Sequence, residues 1–194
     1  MNVVLIGGKH FGCLALHLLA SKSDITVSQV IITDAEDRLG KLAVKLGYNV
    51  FLAPNPKIIS EGIVDCDLII TAYTHAYVSN KALEKSKLGG IGYHPSLLPR
   101  HRGKHAVEDT IASKDTIAGG TIYQLSQGWD EGNIVLQDWC FVKEHDDAGT
   151  LWRRELSPMG IRLLSTALDN ILHLGTIVST AQENNGITKG EQDA

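Results

Sequence analysis

Short apolar runs of strand length alternate with stretches of helical spacing through the first two-thirds of this 194-residue chain. Few folds accept that pattern. Residues 3–6 (Val-Val-Leu-Ile) stop at Gly7-Gly8, and 10–21 place Phe11, Leu14, Leu18 and Leu19 at helical spacing. Residues 26–32 read as a second strand, 37–46 as a helix ended by Gly47, and 49–52 as a third strand. Residues 68–72 (Leu-Ile-Ile-Thr-Ala) are apolar enough for a strand buried on both faces. Asn80 is placed to cap a short helix over 81–86, and 90–94 return to the sheet. Strands that alternate with helices pair in parallel through right-handed crossovers, so the expected fold is α/β, a mostly parallel twisted sheet with helices on both faces.

The last third changes character. Residues 104–113 read as a helix, and 118–125 and 134–142 as adjacent strands joined across a glycine-flanked loop. Residues 149–174 read as one long helix that Pro158 kinks or divides, because proline has no N–H to give the preceding turn. The end, 182–194, is polar and expected to fray. The domain expectation is a catalytic unit over 1–175 and a polar tail over 176–194.

Two loops carry the chemistry. The apolar run Ile91-Gly92-Tyr93 closes on His94, followed by Pro95-Ser96-Leu97-Leu98-Pro99-Arg100-His101-Arg102-Gly103. Pro95 disfavours helix at His94, which puts the imidazole at the C-terminal end of a strand. In open α/β sheets ligands bind at that edge. Thirty-six residues later, Gly128-Trp129-Asp130-Glu131-Gly132 centres a carboxylate between glycines. A histidine and an aspartate on two such loops suit proton transfer, since imidazole changes charge near neutral pH and a carboxylate orients it. Taken alone, each of these residues is more often a surface or turn residue; their combination makes the case.

These two segments resemble the folate-dependent formyltransferases. That family's pattern runs Asn-x-His-Pro-Ser-Leu-Leu-Pro, then x-x-Arg-Gly, and later Asp-x-Gly-x-Asp-x-Gly. Here the first part is Gly92 to Pro99 followed by Arg102-Gly103, and the second is Ser126-Gln127-Gly128-Trp129-Asp130-Glu131-Gly132. The string Tyr93 to Gly103 is most similar to the hydrolase domain of 10-formyltetrahydrofolate dehydrogenases. The resemblance implies a Rossmann-like formyltransferase fold with 10-formyltetrahydrofolate as co-substrate and no metal. It implies His94 and Asp130 as the catalytic pair, and backbone groups of Ala76, Tyr77 and Val78, with Gly128 and Trp129, as folate contacts. Gly92, Arg102 and Glu131 fall where the acceptor would bind. Two departures matter. Gly92 replaces the asparagine whose amide would stabilise the oxyanion, and Glu131 stands where threonine is common.

Composition narrows the partners. A net charge of −4 offers no basic surface for nucleic acid, and no apolar run approaches the ~20 residues of a membrane span. Cys13, Cys66 and Cys140 lack metal-ligand spacing and read as reduced thiols. The start, Asn2-Val3-Val4-Leu5-Ile6, lacks the basic region of a signal peptide. A cytoplasmic protein is expected, with a small-molecule amine as acceptor and a homodimer left open. Gly7-Gly8-Lys9-His10-Phe11-Gly12 reads as a structural turn or an anion contact at a helix start. It matches neither the dinucleotide spacing nor the Gly-Ser-Asn turn that glycinamide ribonucleotide formyltransferases use for a phosphate. His101 and His105 are expected to be exposed. Three functions remain: formyl transfer to an amine, hydrolysis of formylfolate, and folate or nucleotide binding without catalysis.

Overall fold

The computed structural model describes residues 1–183, which fall in two compact units divided between Gly92 and Tyr93. In the first unit β1 (Asn2–Gly7), β2 (Thr26–Ile32), β3 (Val50–Leu52), β5 (Leu68–Ala72) and the first three residues of β7 (Gly90–His94) pair in parallel in the order β3-β2-β1-β5-β7. The register sets Val3 opposite Leu68, Leu5 opposite Ile70 and Ile70 opposite Ile91. Leu5, Ile6, Leu68, Ile69, Ile70 and Ile91 are fully buried, as continuous apolar runs require when both faces of a strand are covered. Each such side chain contributes about 1.5–3 kcal/mol.

Helix α1 (Lys9–Ser21) packs on β1, β2 and β5, and α2 (Arg38–Lys45) on β2 and β3. The buried stripe of α1 is Phe11, Ala15, Leu16 and Leu19; Leu14 and Leu18 lie at its half-buried margins. Two short strands absent from the sequence reading, β4 (Ile58–Ile59) and β6 (Tyr77–Val78), form a separate parallel pair. At two residues each, they are too short for a period to show. Helix α3 is Asn80–Leu83, and its cap is Ser79, whose hydroxyl accepts from the Ala82 N–H at 3.3 Å. The expected Asn80 cap and the helix to residue 86 are therefore corrected. Past Leu83 the chain turns so that Ser86 can bridge Cys66 and donate its hydroxyl to the Asp67 carbonyl.

In the second unit β8 (Ile117–Gln124) and β9 (Ile134–Phe141) are antiparallel, and α4 (Ala106–Ala112) precedes them. The expected long helix is divided. It comprises α5 (Ala148–Leu151), a wide π turn at Trp152–Leu156, and α6 (Ser157–Leu174), which packs on β8 and β9. Pro158 denies the Arg154 carbonyl its helical donor, and the wide turn lies immediately before it. Gly175, at φ 70°, ends α6. The mostly parallel α/β sheet expected from the sequence is the one observed.

Candidate active site

His94 is the last residue of β7, where Pro95 stops the strand. Its neighbour Tyr93 fixes the strand end. A Cβ added at Gly120 of β8 would lie 2.3 Å from the Tyr93 hydroxyl, and one at Gly160 of α6 would lie 2.6 Å from its ring. Both glycines make room for the ring. The hydroxyl donates to the Leu156 carbonyl in the π turn at 2.7 Å, and burial pushes its pKa up.

The proline-rich loop that follows is tied down by one buried hydroxyl. Thr121 Oγ1 donates to the Ser96 carbonyl at 2.6 Å and accepts from the Leu98 N–H at 3.2 Å and from Gln137 Nε2 at 2.9 Å. Gln137 also donates to the Leu98 carbonyl. The Leu98–Pro99 peptide is cis. The loop is thereby held by side chains of β8 and β9, and its path sets where His94 and His101 meet.

His94 Nε2 lies 2.8 Å from the His101 carbonyl. A carbonyl only accepts, so Nε2 carries a proton and Nδ1 is the nitrogen left to take up or release one. Nδ1 faces Asp130 Oδ2 at 3.4 Å, with both side chains under a tenth exposed. The same Oδ2 accepts from the Gly103 N–H at 2.8 Å. The Tyr123 ring stands edge-on to His94, centroids 6.3 Å apart. Loss of water, ahead of the nearby Asp130 charge, pushes the Tyr123 pKa well above its ordinary value, so its hydroxyl keeps its proton. The pair is thus oriented from both sides. Asp130 itself adopts a left-handed backbone, φ 55°, which aspartate tolerates better than most residues.

Two residues behind this pair were misjudged from the sequence. His101 was expected at the surface; it is buried, with Nε2 2.7 Å from Asp115 Oδ2. Arg100 donates to the same oxygen at 2.6 Å. Gln182, expected to fray, is bonded to the acidic loop: Nε2 donates to the Asp130 and Gly132 carbonyls at 2.7 Å each. Thr180 bridges Ile134 just before it, and residues 184–194 lie outside the described range. Arg102 is buried. It donates to Gln182 Oε1 at 2.6 Å and to Glu131 Oε1 at 3.3 Å. Glu131 is half-exposed and Trp129 is 45% exposed.

The first unit carries the remaining expected contacts. The Ala76 N–H donates to Thr74 Oγ1 at 3.1 Å, and the Tyr77 N–H to the Lys57 carbonyl at 2.9 Å. Strand β6 pairs with β4 through Tyr77 and Ser79, so the N–H and C=O of the intervening Val78 point away from β4. Of the three, only Tyr77 gives its N–H to that pairing; the Ala76 N–H is taken by Thr74 and the Val78 N–H faces the other side. Gly92 ends the unit without a side-chain donor. At the start of α1 the Lys9 N–H donates to both Asp37 oxygens, at 2.9 and 3.0 Å. A carboxylate of the chain itself thus sits where an anion contact was considered. Among the described residues no group of three or more His, Cys, Asp or Glu could hold a metal ion, and no helix is long and apolar enough to cross a membrane.

The fold agrees with comparison to known proteins. The sequence profile of the formyl transferase family matches residues 59–168, and the chain belongs to that family. It is 31% identical over 174 residues to a cytosolic 10-formyltetrahydrofolate dehydrogenase of Xenopus tropicalis, covering 84% of this chain and 19% of that protein. It is 30% identical over 198 residues to a methionyl-tRNA formyltransferase of Ehrlichia chaffeensis, covering 94% and 65%. The chain thus spans about a fifth of the first relative and under two thirds of the second. A crystal structure of an N-formyltransferase from Helicobacter canadensis, in complex with folinic acid and dTDP-3-aminofucose, shares the fold. Its TM-score is 0.78 at 17% identity, covering 97% of this chain and 70% of that one.

Proposed function

We propose that this protein transfers the formyl group of 10-formyltetrahydrofolate to the amino group of a small molecule. The observation that carries the reading is the buried His94–Asp130 pair, built on the two motif loops of a formyl transferase. In the reaction the acceptor nitrogen attacks the formyl carbon, the bond from that carbon to the folate nitrogen breaks, and one proton passes from acceptor to folate. His94 Nδ1 is the atom placed to relay that proton, and Asp130 holds the ring and favours positive charge on it in the transition state. The folate contacts proposed are Val78, with Ala76 and Tyr77, and Gly128 with Trp129. Half-exposed Glu131 suits a cationic amine, Arg102 stands behind it, and Gly92 contributes only backbone. Asp37 at the start of α1 opposes a phosphate there, which favours an acceptor without one.

Hydrolysis to formate is the second reading, favoured by Gly92 and by the dehydrogenase relative. The test is the absorbance change as 10-formyltetrahydrofolate loses its formyl group, with and without a pool of amines, and with His94→Ala beside the wild type. Turnover only with amines supports transfer; equal turnover without them supports hydrolysis. Folate binding without turnover, unchanged by His94→Ala, refutes both and leaves a binding protein.

A further inference from the structure

Gln182 lies beyond the matched family segment and joins the two loops that carry the catalytic pair. Its amide orientation is forced by chemistry: the Asp130 and Gly132 carbonyls only accept and Arg102 only donates. Nε2 must therefore face the carbonyls and Oε1 the guanidinium, at the 2.6–2.7 Å observed. Arg102 belongs to the His94 loop and is buried. Asp130 has its backbone in the left-handed region, a conformation that persists only where its surroundings hold it. Gln182 grips the carbonyl of that residue, while the Gly103 N–H holds its carboxylate. The strap itself is anchored by the Thr180–Ile134 bridge and by Ser179 Oγ, which donates to Gln124 Oε1 at 2.7 Å.

We propose that Gln182 is a positioning residue for formyl transfer: it holds Asp130 opposite His94 Nδ1 by fixing the Asp130 and Gly132 carbonyls against Arg102. The inference rests on the proposed function for its activity readout. Its structural half can be read without turnover. The ionisable groups against His94 are Asp130 from the acidic loop and Tyr123 from β8, with Arg102 and Glu131 at the Gln182 end.

The decisive variant is Gln182→Glu in the full chain. It keeps an acceptor for Arg102 and loses the donors to both carbonyls. With 10-formyltetrahydrofolate and the active amine, or water, we expect kcat to fall about tenfold, KM for formylfolate to stay within twofold, and the midpoint of the kcat–pH profile to move. Ring 15N spectra should show a shifted His94 Nδ1 signal, identified by its loss in His94→Gln. Gln182→Ala makes the same comparison should the glutamate variant not fold. If kcat, pH profile and His94 signal all match wild type, the inference is wrong. It is equally wrong if kcat and KM fall together with the melting midpoint while the pH profile and His94 signal stay unchanged. A wild-type chain that consumes no formylfolate, yet whose His94 signal shifts in Gln182→Glu, refutes the proposed function and leaves the positioning contact standing.

Discussion

Thr121→Val is the perturbation that most directly asks whether the His94 loop is held by one hydroxyl. Valine has nearly the same shape, so no cavity opens at a site that is fully buried. What goes is a single oxygen with three partners: the Ser96 carbonyl, the Leu98 N–H and Gln137 Nε2. Gln137 keeps the Leu98 carbonyl, which leaves two loop backbone groups to lose this partner. A buried polar group without a partner costs about 1–3 kcal/mol. Two such losses, eased by some movement of the loop, give about 3 kcal/mol and a melting midpoint roughly 6–12 °C lower. Thr121→Ser keeps the hydroxyl, loses one methyl and should cost only about 1 kcal/mol. Urea unfolding followed by tryptophan fluorescence suits the comparison, because Trp129, Trp139 and Trp152 all belong to the unit that contains Thr121. A valine variant no less stable than the serine variant would refute the reasoning.

Gly132→Ala should lower stability by more than 1 kcal/mol in the same assay, since its Cβ would meet the Gln124 carbonyl oxygen at 1.7 Å. Gly128→Ala should be milder, because its Cβ meets only the Glu131 side chain, closest at the movable carboxylate and 3.0 Å from the Glu131 Cβ; equal costs for the two would count against this view of the loop. The carboxyl of Asp146 is held below the usual range first by its bond from Arg154 and then by the Lys143 N–H. Its stabilisation is therefore present above the unfolded pKa of about 3.9 and lost as pH falls through the lower folded value. Asp146→Asn should be less stable than wild type at pH 6 and indistinguishable from it near pH 2; a gap that persists at pH 2 contradicts the assignment. Burial, ahead of the nearby Glu155 charge, pushes the Cys140 thiol up to about 11, and burial raises Cys13 and Cys66 as well. Thiol reagent at pH 8 should label native protein slowly and all three cysteines at once in urea, and rapid native labelling of Cys140 would be inconsistent with this burial.

What the sequence made legible was what local pattern encodes. The apolar runs at β1 and β5 announce buried strands without reference to any distant residue, and Pro95 alone places His94 at the end of β7. Asn80 misled because Ser79, one position earlier, is an equally good cap; the choice falls to the β4–β6 pairing that fixes where the chain enters α3. His101 and Gln182 misled for a deeper reason. Each is polar, and polarity in a loop reads as exposure. Their burial depends on partners 14 and 80 residues away, Asp115 and Arg102, which no window of sequence contains. Gln182 had one available signal, a polar residue just after a Thr-rich segment (Thr176, Thr180), but nothing in that segment names the acidic loop as its target.

The division of labour around His94 follows from which atoms can only accept. The His101 carbonyl accepts a hydrogen bond from the Nε2–H, and His101 is itself fixed through Asp115, so the ring cannot exchange its two nitrogens without breaking a buried bond. Under the proposed function that leaves Nδ1 for proton transfer, facing a carboxylate whose orientation is set by the Gly103 N–H. In that reading, with Gly92 in place of an amide side chain, this nitrogen once protonated also takes a share of oxyanion stabilisation. A ring free to flip would then lose proton relay and oxyanion donor together. Asp115→Asn should accordingly slow turnover although the residue touches neither substrate nor His94. Asp115→Asn should also broaden the His94 ring signals as the tautomer loses its anchor. Sharp, unshifted signals beside undiminished turnover would show that the His101 carbonyl holds His94 without help from Asp115.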